Sequence, residues 1–362
     1  MIELENLTKT FIGTQAPAVD NLSLTIERGE IAVFVGPSGC GKTTTLKMIN
    51  RLIEPTSGSI RIDGRLAHAV PVHELRRGIG YVIQQIGLFP HRTIRQNIGT
   101  VPSLLDWDRG RIDERVEELA ELVALDGDML DRYPAELSGG QRQRVGVARA
   151  LAADPPVLLM DEPFGAVDPI VRAHLQDELL DLQQRLHKTI ALVTHDIDEA
   201  IKLGDRVAIL SEGGHLEQYD TPGEILRDPA NAFVADFLGT DRGIKRLSLI
   251  PISAIDLVAG PVVPRSATHA EAVAVALEYG TDWVAIQDGD NVSGWLRIAD
   301  VPTDGNAGPD PEPFRTSLTK DSTLKEALDA IVSSHTSVAA VFDGPVLLGM
   351  VTAEALSREI QR

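Results

Sequence analysis

The sequence predicts an α/β domain built around a parallel sheet, followed by a smaller α+β region that repeats itself. Short apolar runs at residues 31–35, 157–160 and 189–194 have the length and composition of buried parallel strands. A block of helical periodicity, roughly residues 85–153, interrupts these strands. Beyond residue 255, two segments resemble each other at an offset of about 55 residues, which indicates a duplicated unit.

Length and composition narrow the class of protein. The chain has 362 residues, too many for one ordinary domain, and 43% of them are hydrophobic, enough for a sizeable core. The net charge of −19 argues against general nucleic-acid binding, because such proteins present a basic surface. No apolar run approaches the roughly 18 residues that span a bilayer, and we expect no signal peptide. The single cysteine, Cys40, excludes an internal disulfide and fits a cytosolic protein.

Residues 36–44 form a glycine-rich loop between a predicted strand and a predicted helix. They fit the pattern G-x-x-x-x-G-K-[ST], with Gly36, Gly41, Lys42 and Thr43 in the fixed positions. Glycines let main-chain N–H groups wrap around phosphate oxygens, and the helix N-terminus adds a positive partial charge. We therefore expect Lys42 to reach the β- and γ-phosphates of a nucleotide and the Thr43 hydroxyl to hold Mg²⁺. The loop's other predicted nucleotide-binding residues are Pro37, Ser38, Gly39, Cys40 and Thr44, of which Cys40 is interpreted as a small loop side chain rather than a redox switch.

The segments on either side of this loop add strands. Residues 2–11 alternate loosely and residues 22–26 alternate cleanly, so both predict strands of a β-rich edge. Phe11 could stack on an adenine ring or belong to the core, and this segment alone favours the core. Residues 59–62 and 79–83 predict further strands, the second of which is followed by Gln84.

Two later strand ends carry side chains suited to chemistry. Asp161 and Glu162 follow strand 157–160, and the carboxyl ends of parallel strands are where α/β sheets bind ligands. Successive side chains point to opposite sides of a strand, so Asp161 can bind Mg²⁺ while Glu162 takes a proton from water. His195 follows strand 189–194 of the same predicted sheet. Upstream, Ser138 and the two glycines after it open a helix and form a second anion nest, a weak signal by itself.

The C-terminal part contains the duplication. A first domain is predicted at 1–240, a linker at 241–255, and two repeats at 256–305 and 312–362. Each repeat reads as a helix, a strand, a glycine-containing turn and a second strand. Because each repeat is too small to bury a good core alone, we expect the two to pack together. A stretch rich in Pro, Gly and Asp, residues 302–313, is the predicted connection between them.

At this point the chain resembles a known family, the ATP-binding subunits of ABC importers, over residues 1 to about 240. The phosphate loop, Gln84, the signature at 137–141, the strand ending in Asp161, the D-loop at 165–168 and His195 occur in the family's order. Residues 47–58, 79–91 and 198–202 are similar to the quaternary-amine uptake group, which carries glycine betaine, carnitine or choline. The resemblance implies a P-loop ABC cassette with a RecA-like core, an antiparallel β edge and an inserted helical subdomain.

The resemblance also implies roles for single residues. Phe11 takes the position of the adenine-stacking aromatic, Gln84 contacts Mg²⁺ or the attacking water, Glu162 is the general base, and His195 holds the γ-phosphate and water in line. The residues implied to contact ATP bound to the opposite subunit are Ser138, Gly139, Gly140, Gln141 and Asp168. Because one chain has one of each motif, the working unit implied by the resemblance is two chains with two ATP molecules between them.

The implied partners are a second copy of the chain, integral membrane permease subunits and, indirectly, an extracytoplasmic substrate-binding protein. The implied location is peripheral, on the cytoplasmic face of the inner membrane. An importer for another small solute such as an amino acid is the alternative, and a soluble ABC ATPase is a less favoured one, since it would usually carry two cassettes or a long coiled coil. A nucleotide-sensing module without turnover is disfavoured because Glu162 and His195 are both present.

The C-terminal duplication resembles the tandem CBS domains that this group carries. The usual nucleotide signature of CBS domains is incomplete in both copies. The first copy keeps Asp300 but has Arg297 in place of the hydroxyl residue, and the second keeps Thr352 but has Ala355 in place of the Asp. Asp300 and Thr352 are therefore possible ligand residues, and a purely structural or dimerising role is the alternative.

Overall fold

The computed structural model describes residues 1–84, 87–165, 167–289, 291–303 and 310–361. Gln85, Ala166 of the D-loop, residues 304–309 of the predicted connection between the repeats and Arg362 lie outside the described residues. The chain divides into two compact units, Met1–Leu238 and Gly239–Arg362. The predicted boundary at residue 240 lies two positions beyond this division.

The first unit alternates strands and helices around two sheets. Its strands are β1 (Ile2–Lys9), β2 (Val19–Ile26), β3 (Ile31–Val35), β4 (Ser57–Ile62), β5 (Arg65–Leu66), β6 (Ile79–Val82), β7 (Val157–Asp161), β8 (Thr189–Val193), β9 (Arg206–Ser211) and β10 (His215–Asp220). Its helices are α1 (Lys42–Ile49), α2 (Val72–Arg77), α3 (Ile94–Ile98), α4 (Thr100–Leu104), α5 (Arg109–Leu122), α6 (Gly139–Leu151), α7 (Pro169–Leu186), α8 (Ile197–Leu203), α9 (Pro222–Arg227) and α10 (Ala232–Leu238).

The larger sheet positions the site. Its strand order is β10-β9-β3-β8-β7-β6, in which β3, β6, β7, β8 and β9 run parallel and β10 pairs antiparallel to β9. All residues of β3, β7 and β8 are buried, as their continuous apolar sequences predict. These three strands are neighbours, so the loops at their carboxyl ends meet at one edge of the sheet. The β-rich edge forms a second, antiparallel sheet in the order β2-β1-β4-β5.

The predicted helical block lies between β6 and β7 in the chain. It contains α3 to α6, and Val116, Leu119 and Val145 are buried in the same core as the inner face of the parallel sheet. Gln141 and Ser138 close a capping box at the start of α6, which explains why that helix begins at Gly139.

The second unit holds the duplicated segments. Its strands are β11 (Val262–Pro264), β12 (Trp283–Asp288), β13 (Asn291–Arg297), β14 (Val338–Asp343) and β15 (Val346–Thr352), and its helices are α11 (Arg242–Leu247), α12 (His269–Tyr279), α13 (Leu324–Ser333) and α14 (Ala353–Gln361). The repeat is visible in detail, because α12 and α13 each start with a Thr–Glu capping box, at Thr268 and Thr323. The hairpins β12–β13 and β14–β15 are antiparallel and pair Gly294 and Gly349 at matching positions. Trp283, Trp295 and Met350 share one small core, so the two copies pack together.

The segment expected to be a linker, 241–255, is part of this second unit instead. It forms α11, and both Leu247 and Ile252 are fully buried in the core of the second repeat. Pro251 also bridges to Thr323. The prediction of a linker was based on the polar residues at 239–243. The apolar residues immediately after them instead complete the packing of the second repeat.

Candidate functional site

The glycine-rich loop follows β3 and leads directly into α1. Gly36 has a φ of 155°, and a Cβ added there would lie 2.1 Å from the carbonyl oxygen of Leu210. Gly41 has a φ of 93°, and its added Cβ would lie 2.3 Å from the carbonyl oxygen of Ala18. Both positions therefore exclude a side chain on conformational and steric grounds, which keeps the loop close to the main chain of its neighbours.

Lys42 points back into the loop. Its side chain is 7% exposed, and Nζ donates to the carbonyl oxygens of Gly36 at 2.7 Å and Pro37 at 2.9 Å. These acceptors carry no formal charge, so the loop holds a positive charge that phosphate oxygens can neutralise. Cys40 is fully buried, and its Sγ lies 3.6 Å from the same ammonium.

Thr43 and Asp161 meet although they are far apart in the chain. The Thr43 hydroxyl donates to Oδ1 of Asp161 at 2.8 Å, and the Asp161 side chain is buried. Burial raises the pKa of Asp161, and the hydrogen bond from Thr43 partly opposes that shift. One hydroxyl and one buried carboxylate fit Mg²⁺, which takes one or two protein oxygen ligands together with substrate phosphates.

Three predicted catalytic residues converge beside this pair. Gln84 Nε2 donates to Oε2 of Glu162 at 2.8 Å, and Nδ1 of His195 lies 3.5 Å from Oε1 of Glu162. Glu162 has a left-handed φ of 46°, and its N–H donates to the carbonyl oxygen of Val193 at 2.9 Å. That turn directs the carboxylate away from the strand toward the loops that carry Gln84 and His195. The carboxylate is therefore placed to accept a proton from a water molecule at the edge of the sheet.

The residues expected to contact ATP on the opposite subunit lie at the N-termini of α6 and α7. The Ser138 Oγ accepts from the N–H of Gln141, and the Ser138 N–H donates to the Gln141 side chain at 2.8 Å. Asp168 caps α7 by accepting from the N–H of Val171 at 3.1 Å. Among the described residues, no hydrogen bond joins Ser138, Gln141 or Asp168 to the glycine-rich loop. Gly139 and Gly140 lie in the first turn of α6.

Phe11 lies just after β1 rather than in a core. Its side chain is 40% exposed, and Lys9 Nζ sits 5.3 Å from the ring centroid. The Phe11 carbonyl accepts from the N–H of Thr14, which closes a turn. The ring is therefore available on the surface, as the family resemblance implies and contrary to the expectation from the segment alone.

In the second unit the two possible ligand residues make local contacts. Arg297 Nε donates to Asp300 at 2.8 Å, and the Thr352 hydroxyl accepts from the N–H of Ala355 at 3.3 Å. A polar cavity of about 440 Å³ lies between the copies. Its lining is Asp282, Trp295, Arg297, Glu312, Arg315 and His335, a set drawn from both copies that no short motif signals.

Comparisons with known proteins agree with this geometry. The family model for ABC transporters matches residues 19–165. The osmoprotectant import ATP-binding protein OsmV of Salmonella typhimurium is 48% identical over 95% of this chain and 91% of its own length. This chain is an ATP-binding subunit of the ABC transporter family.

Two further similarities support the assignment of this ABC subunit. The carnitine transport ATP-binding protein OpuCA of Listeria monocytogenes is 53% identical over 83% of this chain and 76% of its own length. A solved dimeric ATP-binding cassette in a post-hydrolysis state, bound to ADP and Pi, is 34% identical with a TM-score of 0.56. That structure covers 61% of this chain and 99% of its own chain. In the part of the ABC subunit that the structure describes, no helix is long and apolar enough to cross a membrane.

Proposed function

We propose that this ABC subunit hydrolyses ATP to drive the import of a quaternary amine such as glycine betaine, carnitine or choline. The observation that carries the hydrolytic part is the convergence of Gln84 and His195 on the carboxylate of Glu162. The similarity to osmoprotectant and carnitine import subunits, which extends into the second unit, supports the class of solute.

The residues of the chain divide the work of phosphoryl transfer. Main-chain N–H groups of residues 36–44 and the Lys42 ammonium bind the phosphates, and the Phe11 ring stacks on the adenine. Mg²⁺ bound to Thr43 and Asp161 would offset the negative charge of the phosphates. Glu162 accepts the proton of the attacking water, and Gln84 orients that water. His195, 3.5 Å from Glu162, holds water and γ-phosphate in line.

A second copy of the chain completes each site. Ser138, Gly140 and Asp168 have no hydrogen bond to the loop of their own chain among the described residues, which fits a role against ATP held by a partner. The first turn of α6 offers main-chain N–H groups and a positive partial charge to the terminal phosphate. Two chains therefore sandwich two ATP molecules head to tail.

The permease subunits dock on a groove between the parallel sheet and the helical block. This groove has a cavity of about 280 Å³, and Arg76, Arg77, Tyr81 and Phe89 are among its lining residues. Arg76 donates to the carbonyl oxygens of Asn50 and Arg51, and Arg77 donates to that of Leu104. None of the described residues that line the groove is Asp or Glu, so it favours a partner segment with an acidic residue. Docking there places the subunit on the cytoplasmic face of the inner membrane.

Uptake in cells tests the proposed function. Cells with and without the gene are given labelled glycine betaine, carnitine, choline, proline and an unrelated amino acid at high osmolarity. We expect gene-dependent uptake of one or more quaternary amines, abolished by Glu162→Gln. Gene-dependent uptake of amino acids alone would support the alternative importer. Co-purification of a membrane permease with the subunit would exclude a soluble ATPase.

The second unit is proposed to be a tandem CBS pair, with repeats near 256–305 and 312–362. Its matched capping boxes at Thr268 and Thr323 and the shared core of both copies support a duplicated module. Asp300 and Thr352 are the candidate ligand residues, and a dimerising role is the alternative. Adenosine nucleotides titrated against the full chain, with Asp300→Ala as the control, test the ligand role.

A further inference from the structure

A buried carboxyl lies next to residues 194–196, the turn that contains His195, and has been given no role so far. Glu199, in the first turn of α8, is 6% exposed, and its Oε2 accepts from the Thr194 hydroxyl at 2.7 Å. Its Oε1 is buried and makes no hydrogen bond to any described group. Burial raises the pKa of Glu199. A carboxyl in such a place is costly to keep, so its presence calls for a compensating role.

The partner of Glu199 immediately precedes His195. Thr194 continues β8, since its N–H donates to the carbonyl oxygen of Phe34 at 3.1 Å. Its hydroxyl accepts from the N–H of Asp196 at 3.1 Å while donating to Glu199. One hydroxyl therefore joins the residue before the histidine to the residue after it and to the helix that follows. This arrangement fixes the main chain on both sides of His195.

Charged groups from the neighbouring helix face the same place. Arg172 of α7 approaches Asp196 at 3.7 Å and donates to the carbonyl oxygen of Val167 at 3.3 Å. Its Nε is buried and, among the described groups, makes no hydrogen bond. Burial is the largest influence on the pKa of Glu199 and raises it, and Asp196 acts in the same direction. The hydrogen bond from Thr194 and the charges of Arg172 and His195 lower that pKa. The Thr194 hydroxyl is therefore the hydrogen-bond donor that holds the carboxyl, and Arg172 of α7 acts on it electrostatically.

We propose that Glu199 is a positioning residue for His195, which it holds in place through the Thr194 hydroxyl. The inference rests on the role of His195 in the proposed function. The His195 side chain is 59% exposed and lies 3.5 Å from Glu162, so the direction of the ring depends on the main chain that carries it. A displacement of about 1 Å at a catalytic group can cost on the order of a hundredfold in rate.

Steady-state ATP hydrolysis by the full chain tests the proposal. Glu199→Ala should lower kcat about 10- to 100-fold, while KM for ATP changes less than about twofold because the glycine-rich loop binds the phosphates. Thr194→Val keeps the shape but removes the hydroxyl, so it should show a similar loss. Thr194→Ser and Glu199→Gln retain the hydrogen bond and should stay within about threefold of wild type.

Combination with His195→Ala separates positioning from general stability. If Glu199 acts through the histidine, Glu199→Ala should cause no further loss when His195 is already Ala. Glu30 is a matched control, because burial also raises its pKa and it accepts the N–H of Glu27 at 2.6 Å in another part of the first unit. Glu30→Ala should lower the melting temperature without changing kcat at 25 °C.

The outcomes are distinct. Wild-type turnover of Glu199→Ala alongside an inactive His195→Ala would overturn this proposal and leave the proposed function intact. An equal further loss in the His195→Ala background would also overturn it. Wild-type turnover of His195→Ala would remove the role of the histidine and this inference together. If Glu199→Ala fails to fold by circular dichroism, the contrast between Thr194→Val and Thr194→Ser decides.

Discussion

Replacing Glu162 with Gln removes the proposed general base and leaves its surroundings nearly unchanged. The amide oxygen can still accept from Gln84, which now donates to Oε2 of Glu162 at 2.8 Å. The left-handed φ of 46° at this position is tolerated equally by Glu and Gln, since both carry the same Cβ. The substitution therefore removes the basic oxygen without opening a cavity or breaking the turn.

The expected magnitude follows from that single loss. An amide has no useful basicity near pH 7, so turnover should fall by the contribution of general base catalysis, about 10²- to 10⁴-fold. At about 1.4 kcal/mol for each factor of ten, this is roughly 3–6 kcal/mol of transition-state stabilisation. Affinity for ATP should change little, because the phosphate contacts are proposed to come from the glycine-rich loop and Lys42, which the substitution leaves unchanged.

Phosphate release and the binding of a fluorescent ATP analogue, measured on the same samples, provide the assay. Asp161→Asn is the informative comparison, because Asp161 accepts from the Thr43 hydroxyl, whereas Glu162 accepts from Gln84. That variant should raise the Mg²⁺ concentration needed for half-maximal binding, whereas Glu162→Gln should not. Turnover of Glu162→Gln within about threefold of wild type would refute the assignment of the general base.

Further outcomes follow from other parts of the structure. With ATP, light scattering of a hydrolysis-deficient full chain should detect a dimer that dissociates when ATP is removed. Adding Ser138→Arg to that chain should prevent the dimer, and equal masses with and without Ser138→Arg would contradict the shared site. Gly41→Ala should abolish ATP binding and Gly39→Ala should weaken it far less, because both have left-handed φ but only Gly41 has a neighbour within 4 Å of the added Cβ. Leu247→Ala should lower the free energy of unfolding of the second unit by about 2–5 kcal/mol in urea titrations, whereas the partly exposed Leu249 should tolerate the same change. An unchanged stability of Leu247→Ala would instead indicate that residues 241–255 are only a linker. In liposomes, the salt dependence of transport should not become steeper as the content of anionic lipid rises, because the second unit is rich in Asp and Glu. A salt dependence that does become steeper, and that is lost on truncation near residue 245, would contradict this.

Local patterns in the sequence were enough to predict much of the site. The phosphate loop, the buried strands and the side chains that follow them are encoded in short segments, each of which carries its own signal. Because parallel strands present their carboxyl ends at one edge, Asp161, Glu162 and His195 could be expected to converge before their distances were known. The family resemblance rested on the same motifs, and the comparisons confirm it.

Other features depended on contacts that no local pattern encodes. The Thr43–Asp161 bond joins residues 118 positions apart, and it forms because only β8 separates β7 from β3 in the sheet. The burial of Leu247 depends on a helix pair completed more than a hundred residues later in the chain, at α14. The polar residues at 239–243 therefore predicted a linker, although the residues that follow them are buried in a core.

The positioning of His195 also depends on contacts that no local pattern encodes. In sequence, Glu199 is an ordinary acidic residue in the first turn of a helix, where such residues are favoured by the helix dipole. Only the folded chain turns its carboxyl inward onto the Thr194 hydroxyl and buries it. The sequence by itself determined which residues can bind phosphate and accept a proton, because those properties belong to side chains and short loops. Tertiary structure decided which of them touch, because strand order and burial arise from packing between distant segments.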